Sequence, residues 1–196
     1  MDPHPTPVHL ARRRLLGAAA GGAVMAVAAS ALPGIARAAA APPEVQGAVP
    51  AARLQGRGRL TFLGLRVYDA RLWVGERAAT PDDWSVPLAL ELEYLRALQG
   101  PKIAERSLEE MRRQGEIAPD KAERWLAAMT RFFPDVKAGD RITGVKLPGE
   151  LARFYVNGRS SGELRDPEFA RFFFGIWLAP QTSQPALRQA LLGQTR

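Results

Sequence analysis

Apolar positions from residue 59 onward recur with two periods, and the switch between them marks the elements. Residues 59–74 are rich in Leu, Val, Tyr, Phe and Trp and read as two strands, or as one strand bent near Gly64. Leu88, Leu90, Leu92 and Tyr94 alternate with Ala89, Glu91 and Glu93, the pattern of a strand with one wet face. The period then lengthens. Ala104, Leu108 and Met111 predict a helix over 102–114, stopped by Gly115. Ala122, Trp125, Leu126, Met129 and Phe133 form one apolar stripe over 119–133, ended by Pro134. Strands resume at 141–147 and 152–156. Asn157-Gly158 is the dipeptide preferred in a two-residue type I′ hairpin, because both central residues need positive φ, so a further strand returns through 160–164.

Asp166-Pro167 is a helix start, with the carboxylate as N-cap and proline where its missing N–H costs nothing. In the helix that follows, Phe169, Phe172, Phe173, Phe174, Ile176, Trp177 and Leu178 leave almost no polar face, which predicts burial between a sheet and other helices. Ser183 and Pro185 open a last helix carrying Leu187, Leu191 and Leu192 and closed by Gly193. Strands in a block, two helices, a hairpin and two more helices describe an α+β domain whose antiparallel sheet is covered on one face.

The N-terminal residues follow a different pattern. Arg12, Arg13 and Arg14 precede an Ala/Gly-rich apolar run over 15–32, and Ala36-Arg37-Ala38 presents small residues at the positions a signal peptidase reads. Residues 1–38 therefore read as a removable signal, 39–50 as a flexible Ala/Pro linker, and 51–196 as one domain of normal size. The order Ala-Arg-Arg-Arg-Leu-Leu-Gly resembles the twin-arginine export motif, with ordinary unfolded export as the alternative. The expected location is the periplasm, and the expected transient partners are the export machinery and signal peptidase. A retained membrane anchor is the weaker alternative, since Ala and Gly contribute little transfer free energy.

Removing the signal takes Arg12, Arg13, Arg14, Arg37 and Asp2 with it, and the formal net charge falls from +7 to +4. That is an ordinary soluble surface, and no basic block with interleaved aromatics marks a nucleic-acid track. Both histidines, His4 and His9, lie in the signal, and the chain has no cysteine. The mature domain thus lacks the imidazole and thiol needed for Cys/His zinc sites, a Ser-His-Asp relay, a cysteine nucleophile or a disulfide framework. Residues 135–140 lack the carboxylate spacing of a calcium loop, and no metal or cofactor is expected. Glu91 with Glu93 share the wet face of a strand, while Glu109-Glu110 and Asp82-Asp83 are adjacent and diverge, so none reads as an acid/base dyad.

Four stretches carry a family resemblance: 64–73 (GLRVYDARLW), 125–144 (WLAAMTRFFPDVKAGDRITG), 154–158 (FYVNG) and 166–178 (DPEFARFFFGIWL). In order and spacing, together with the 187–193 tail, they resemble the bacterial branch of the chalcone isomerase-like proteins. The resemblance implies an open-faced β-sandwich, a curved antiparallel sheet layered with helices that hold a hydrophobic small molecule between them. Plant enzymes of this fold cyclise chalcones to flavanones, and non-catalytic relatives bind fatty acids. The plant reaction needs an arginine near the first strand and polar residues that orient the substrate. Arg57 and Arg59 are nearby, but alignment on Gly56 and Tyr68 puts the usual arginine at Leu60. The second-strand threonine falls on Tyr68, which keeps a hydroxyl. The tyrosine and asparagine of the first helix fall on Ile103 and Glu110, if Gly100 is the anchor. A site built on polar placement loses roughly 10²–10³ in rate per lost donor, so the isomerase mechanism is not expected to survive intact.

No catalytic residue is assigned on this reading. The residues expected to contact a ligand are Arg59, Arg66, Tyr68, Tyr94, Ile103, Phe173 and Trp177, the arginines as forks for a carboxylate head group and the aromatics as cleft lining. Against this stand blander roles: surface arginines on a strand edge, a core tyrosine with its hydroxyl at the rim, and a helix that is simply core. The leading expectation is a non-catalytic binder of a hydrophobic small molecule such as a fatty acid. The alternatives are an isomerase of a chalcone-like or enone substrate and an envelope scaffolding protein. Blocking the twin-arginine translocase is expected to leave an uncleaved precursor in the cytoplasm; unaffected export would point to the ordinary route.

Overall fold

The computed structural model describes residues 40–83, 85–147 and 151–194; the signal reading falls on residues outside these. The elements are α1 (Pro43–Gln46), β1 (Arg53–Phe62), β2 (Leu65–Val74), β3 (Leu88–Tyr94), α2 (Gly100–Arg112), α3 (Pro119–Phe132), β4 (Arg141–Leu147), β5 (Leu151–Val156), β6 (Arg159–Arg165), α4 (Pro167–Leu178) and α5 (Pro185–Leu191). The six strands form one antiparallel sheet in sequence order, β1 to β6. This is the α+β, open-faced arrangement expected from the pattern of strands and helices.

Alternation along the strands sorts their side chains onto two faces. Leu72, Leu88, Leu90, Ile142, Ala152 and Phe154 join Leu108, Met111, Trp125, Met129 and the rings of α4 in the main core. Helix α4 is buried along nearly its whole circumference, from Phe169 to Leu178. Asp166 fixes its start. One carboxylate oxygen accepts from the backbone N–H groups of Glu168 and Phe169, both at 3.0 Å, and the other accepts from Trp125 Nε1 of α3 at 2.9 Å. At the other end of the sheet face, α5 lies directly on β1. A β-carbon on Gly56 would stand 2.2 Å from the Ala190 carbonyl oxygen, so the approach requires glycine.

The opposite face departs from the sequence expectation. The stretch expected as a flexible linker is ordered over its described residues, 40–50: α1 and its flanks pack Ala41, Val45 and Val49 onto Trp73, Ala89 and Val145. Short apolar residues among Ala and Pro look like a linker, but here they are packed, with Ala48 and Ala52 adding to the cover. The same cover removes the wet face predicted for β3. Glu91 is 2% exposed and accepts hydrogen bonds from Arg71 (3.0 Å), Arg141 (3.1 Å) and Trp73 Nε1 (2.9 Å). Buried Glu44 of α1 accepts from Arg141 and from Thr143 Oγ1, each at 3.3 Å. The charges of this face are therefore paired across β2, β3, β4 and α1, as buried carboxylates require.

Two hairpins turn on two residues with positive φ. Asn157 and Gly158 (φ 50° and 81°) are the turn the sequence predicts; Leu63 and Gly64 (φ 47° and 78°) form a turn of the same kind with a leucine in the strained position. A register shift between Leu60 and Thr61 leaves Val67 as an extra residue in β2, so Tyr68 pairs with Leu60 while Arg66 pairs with Thr61.

Replacing Asp166 by Ala is expected to cost about 2–3 kcal/mol, the loss of a helix cap together with an unpartnered buried indole N–H. Urea denaturation should show a lower midpoint at an unchanged slope.

Candidate functional site

A cavity of about 340 Å³ opens where α2 and the C-terminal end of α4 part from the first three strands. Its sheet wall is the row Leu60, Tyr68 and Tyr94, neighbours across β1, β2 and β3, with Leu92 and Ile142 behind. Helix α2 contributes Ile103, Arg106, Ser107 and Glu110, and α4 contributes Phe173, Ile176 and Trp177. The lining is mostly apolar, and the volume is at the lower end of the range typical for ligand sites.

Inside the cavity the polar groups are few. Trp177 Nε1 donates to the Tyr68 hydroxyl at 2.9 Å, and the rings of Tyr68 and Tyr94 meet edge-on at 5.9 Å. Because the Tyr68 oxygen accepts from Trp177, its own proton is left to donate. Enclosure by the surrounding side chains pushes both tyrosine hydroxyls well above the usual phenol range, and for Tyr68 the indole bond partly opposes this. At neutral pH both are therefore neutral hydrogen-bond donors and not phenolate bases. Ser107 is spent on its own helix, donating to the Ile103 carbonyl at 2.8 Å.

The rim is cationic. Arg96, Lys102 and Arg106 all border the opening. Lys102 pairs with Glu105 at 2.7 Å, and Arg106 pairs with Glu109 at 3.2 Å and with Glu110. Arg96 has no ion pair among the described residues. One oxygen of buried Glu110 accepts no hydrogen bond and lies 3.7 Å from Arg113 Nε. Among the described residues no three carboxylates converge as a metal site would require.

Of the residues expected to contact a ligand, the fold gathers Tyr68, Tyr94, Ile103, Phe173 and Trp177 around this one cavity. It also brings there Leu60 and Glu110, the positions on which the resemblance placed a plant arginine and asparagine. Arg59 and Arg66 are corrected. Arg59 follows strand alternation onto the opposite face, where Nε and Nη2 hold both oxygens of Asp69 at 2.5 and 2.8 Å and draw its carboxyl below the usual carboxylate range. Arg66 would share a face with Tyr68 in a regular strand, but the extra residue Val67 turns it away, opposite Thr61. The cations that do border the cavity, Arg96, Lys102 and Arg106, were not among the expected residues, although Lys102 and Arg106 recur at helical spacing with Ile103, Ser107 and Glu110 and so share one face of α2.

Trp177→Phe keeps most of the ring and removes the donor to Tyr68. It is expected to lower stability by about 1 kcal/mol, read by urea denaturation, while Tyr94→Phe, which breaks no protein hydrogen bond among the described residues, should leave it within about 0.5 kcal/mol.

Three likenesses bear on this geometry. The chain is 28% identical over 141 residues to an uncharacterised protein of Haemophilus influenzae, covering 72% of this chain and 68% of that one. Its fold matches that of a solved fatty-acid binding protein of Arabidopsis thaliana, AtFAP1, with a TM-score of 0.59 over 74% of this chain and 88% of the other; at 15% identity the likeness is one of fold. A family model described as chalcone isomerase-like matches residues 39–193, a span that begins at the α1 segment and ends after α5. The chain belongs to the chalcone isomerase-like family.

Proposed function

We propose that this domain is an exported, non-catalytic carrier that binds a hydrophobic small molecule, in the first instance the acyl chain of a fatty acid, between the sheet and α2/α4. The observation that carries the reading is the mostly apolar cavity of about 340 Å³ with a cationic rim. An acyl chain is matched by Leu60, Leu92, Ile103, Phe173 and Ile176. A carboxylate at the rim is matched by Arg96, Lys102 and Arg106, and a carbonyl or carboxylate further in by the free protons of Tyr68 and Tyr94. The likeness in fold to a fatty-acid binding protein supports the same reading. The periplasmic location rests on the arginine-led signal over 1–38.

Two features favour binding over the family's isomerase chemistry. The side chain at the position of the plant arginine is Leu60, and the aligned tyrosine is Ile103; both face the cavity and neither donates a hydrogen bond. A collapsed interior would have favoured scaffolding instead.

The protein should retain or take up one fatty acid, seen by native mass spectrometry and by displacement of a fluorescent fatty acid. Ile103→Trp, which fills the cavity from α2, is expected to weaken binding at least about tenfold, as steric loss of buried chain methylenes implies. Failure of the unmodified protein to bind any chain length under mild handling would sink the carrier reading. Turnover of naringenin chalcone clearly above its spontaneous cyclisation would replace it with the enzymatic one.

A further inference from the structure

The large hydrophobic side chains exposed among the described residues are Phe62 (54%), Leu63 (85%) and Leu65 (53%), and all three sit on the β1–β2 hairpin. Three observations distinguish this tip from chance exposure. The first is conformational. Leu63-Gly64 occupies the φ pair that Asn157-Gly158 adopts in the β5–β6 hairpin, and Asn or Asp is the side chain that this position favours. A leucine there is strained and almost wholly in water, so neither turn formation nor core packing accounts for it. The second is continuity: Phe62 also lines the cavity, which places the apolar tip at the cavity's edge. The third is charge. Arg66 follows Leu65, and Arg96 lies just past the Leu95 N–H that bonds to the Val67 carbonyl at 2.9 Å; neither arginine has an ion pair among the described residues.

We infer that the β1–β2 hairpin is a membrane-docking tip, on which Leu63 and Leu65, with Phe62 behind them, enter the interface of a bilayer while Arg66 and Arg96 meet its anionic headgroups. Apolar residues rimmed by cations are the combination that an anionic lipid surface binds, hydrophobic burial adding to attraction by the surface potential. The inference rests on the cavity as an acyl-chain site and adds to it the surface from which the chain is drawn: docking would bring the opening beside Phe62 to the level of the acyl chains.

The chain has no cysteine, so Leu63→Cys in the full chain carries one environment-sensitive fluorophore, and Glu76→Cys, beyond the far end of β2, serves as the control position. The Leu63 label should enter an apolar environment on phosphatidylcholine vesicles containing phosphatidylglycerol, at a lipid concentration roughly tenfold below that needed with phosphatidylcholine alone. The Glu76 label should not respond. Leu63→Asn should keep or raise stability in urea, keep fatty-acid binding in vesicle-free buffer, and weaken vesicle association of the tip about tenfold. No response at Leu63, an equal response at Glu76, or a response that depends on protein concentration without vesicles would each overturn the inference, the last in favour of self-association. If the unmodified protein binds no fatty acid in vesicle-free buffer, the carrier reading falls, and the label at Leu63 still decides the docking.

Discussion

Helix α4 leaves little more than its first turn and Arg171 to water, and the rest of the domain is arranged around covering the remainder. The sheet covers one side with Phe154, α3 covers another with Trp125 and Phe132, α2 a third with Leu108 and Met111, and α5 closes the C-terminal end with Leu187 and Leu191. Ring packing then sets requirements in the sheet. A β-carbon on Gly162 would stand 2.1 Å from the Phe132 ring, and one on Gly144 would touch Phe154, Phe173 and Phe174 at 3.4 Å each. Interiors packed at crystal-like density leave few voids. The cavity lies where this coverage stops, beyond Phe173 and Trp177, and the Trp177–Tyr68 hydrogen bond fixes how far the helix end stands from the strands.

The second face of the sheet follows a different logic. It is held by ion pairs under a thin apolar cover, with Glu91 bonded to Arg71, Arg141 and Trp73 and Glu44 tying α1 to Arg141 and Thr143. Buried pairs of this kind cost desolvation and contribute registry as much as stability. Here they fix β2, β3 and β4 relative to one another, the strands that carry Tyr68, Tyr94 and Ile142 into the cavity on the other face.

The elements most legible in the sequence are those whose local signals agree with their packing. Asp166-Pro167 before a ring-rich run, Asn157-Gly158 between alternating strands, and the stripe of α3 each state one structure at two levels. What was not legible depended on a partner or an irregularity. The cover over Glu91 comes from a segment far away in the chain. A single extra residue in β2 decides which way Arg66 points, and although Gly64 marks a break between two strands, Leu63 disguises its type, a tight turn with two positive φ angles. On α2, nothing in the spacing of Lys102 and Arg106 marks a ligand site, and only the placement of Tyr68 and Trp177 opposite them makes that face a rim. The five expected residues that the fold places around the cavity are all large side chains on elements the pattern located well, and the two arginines it places elsewhere sit on strands whose face assignment the sequence left open.

The two cavity tyrosines have a consequence for how uptake would respond to its surroundings. Both stay protonated far into the alkaline range, and residues 40–194 contain neither histidine nor cysteine, the side chains that ordinarily change charge near neutrality. The two hydroxyls therefore keep their protons across the neutral pH range. A cargo that gains or loses a proton there would meet the same two donors in either of its forms.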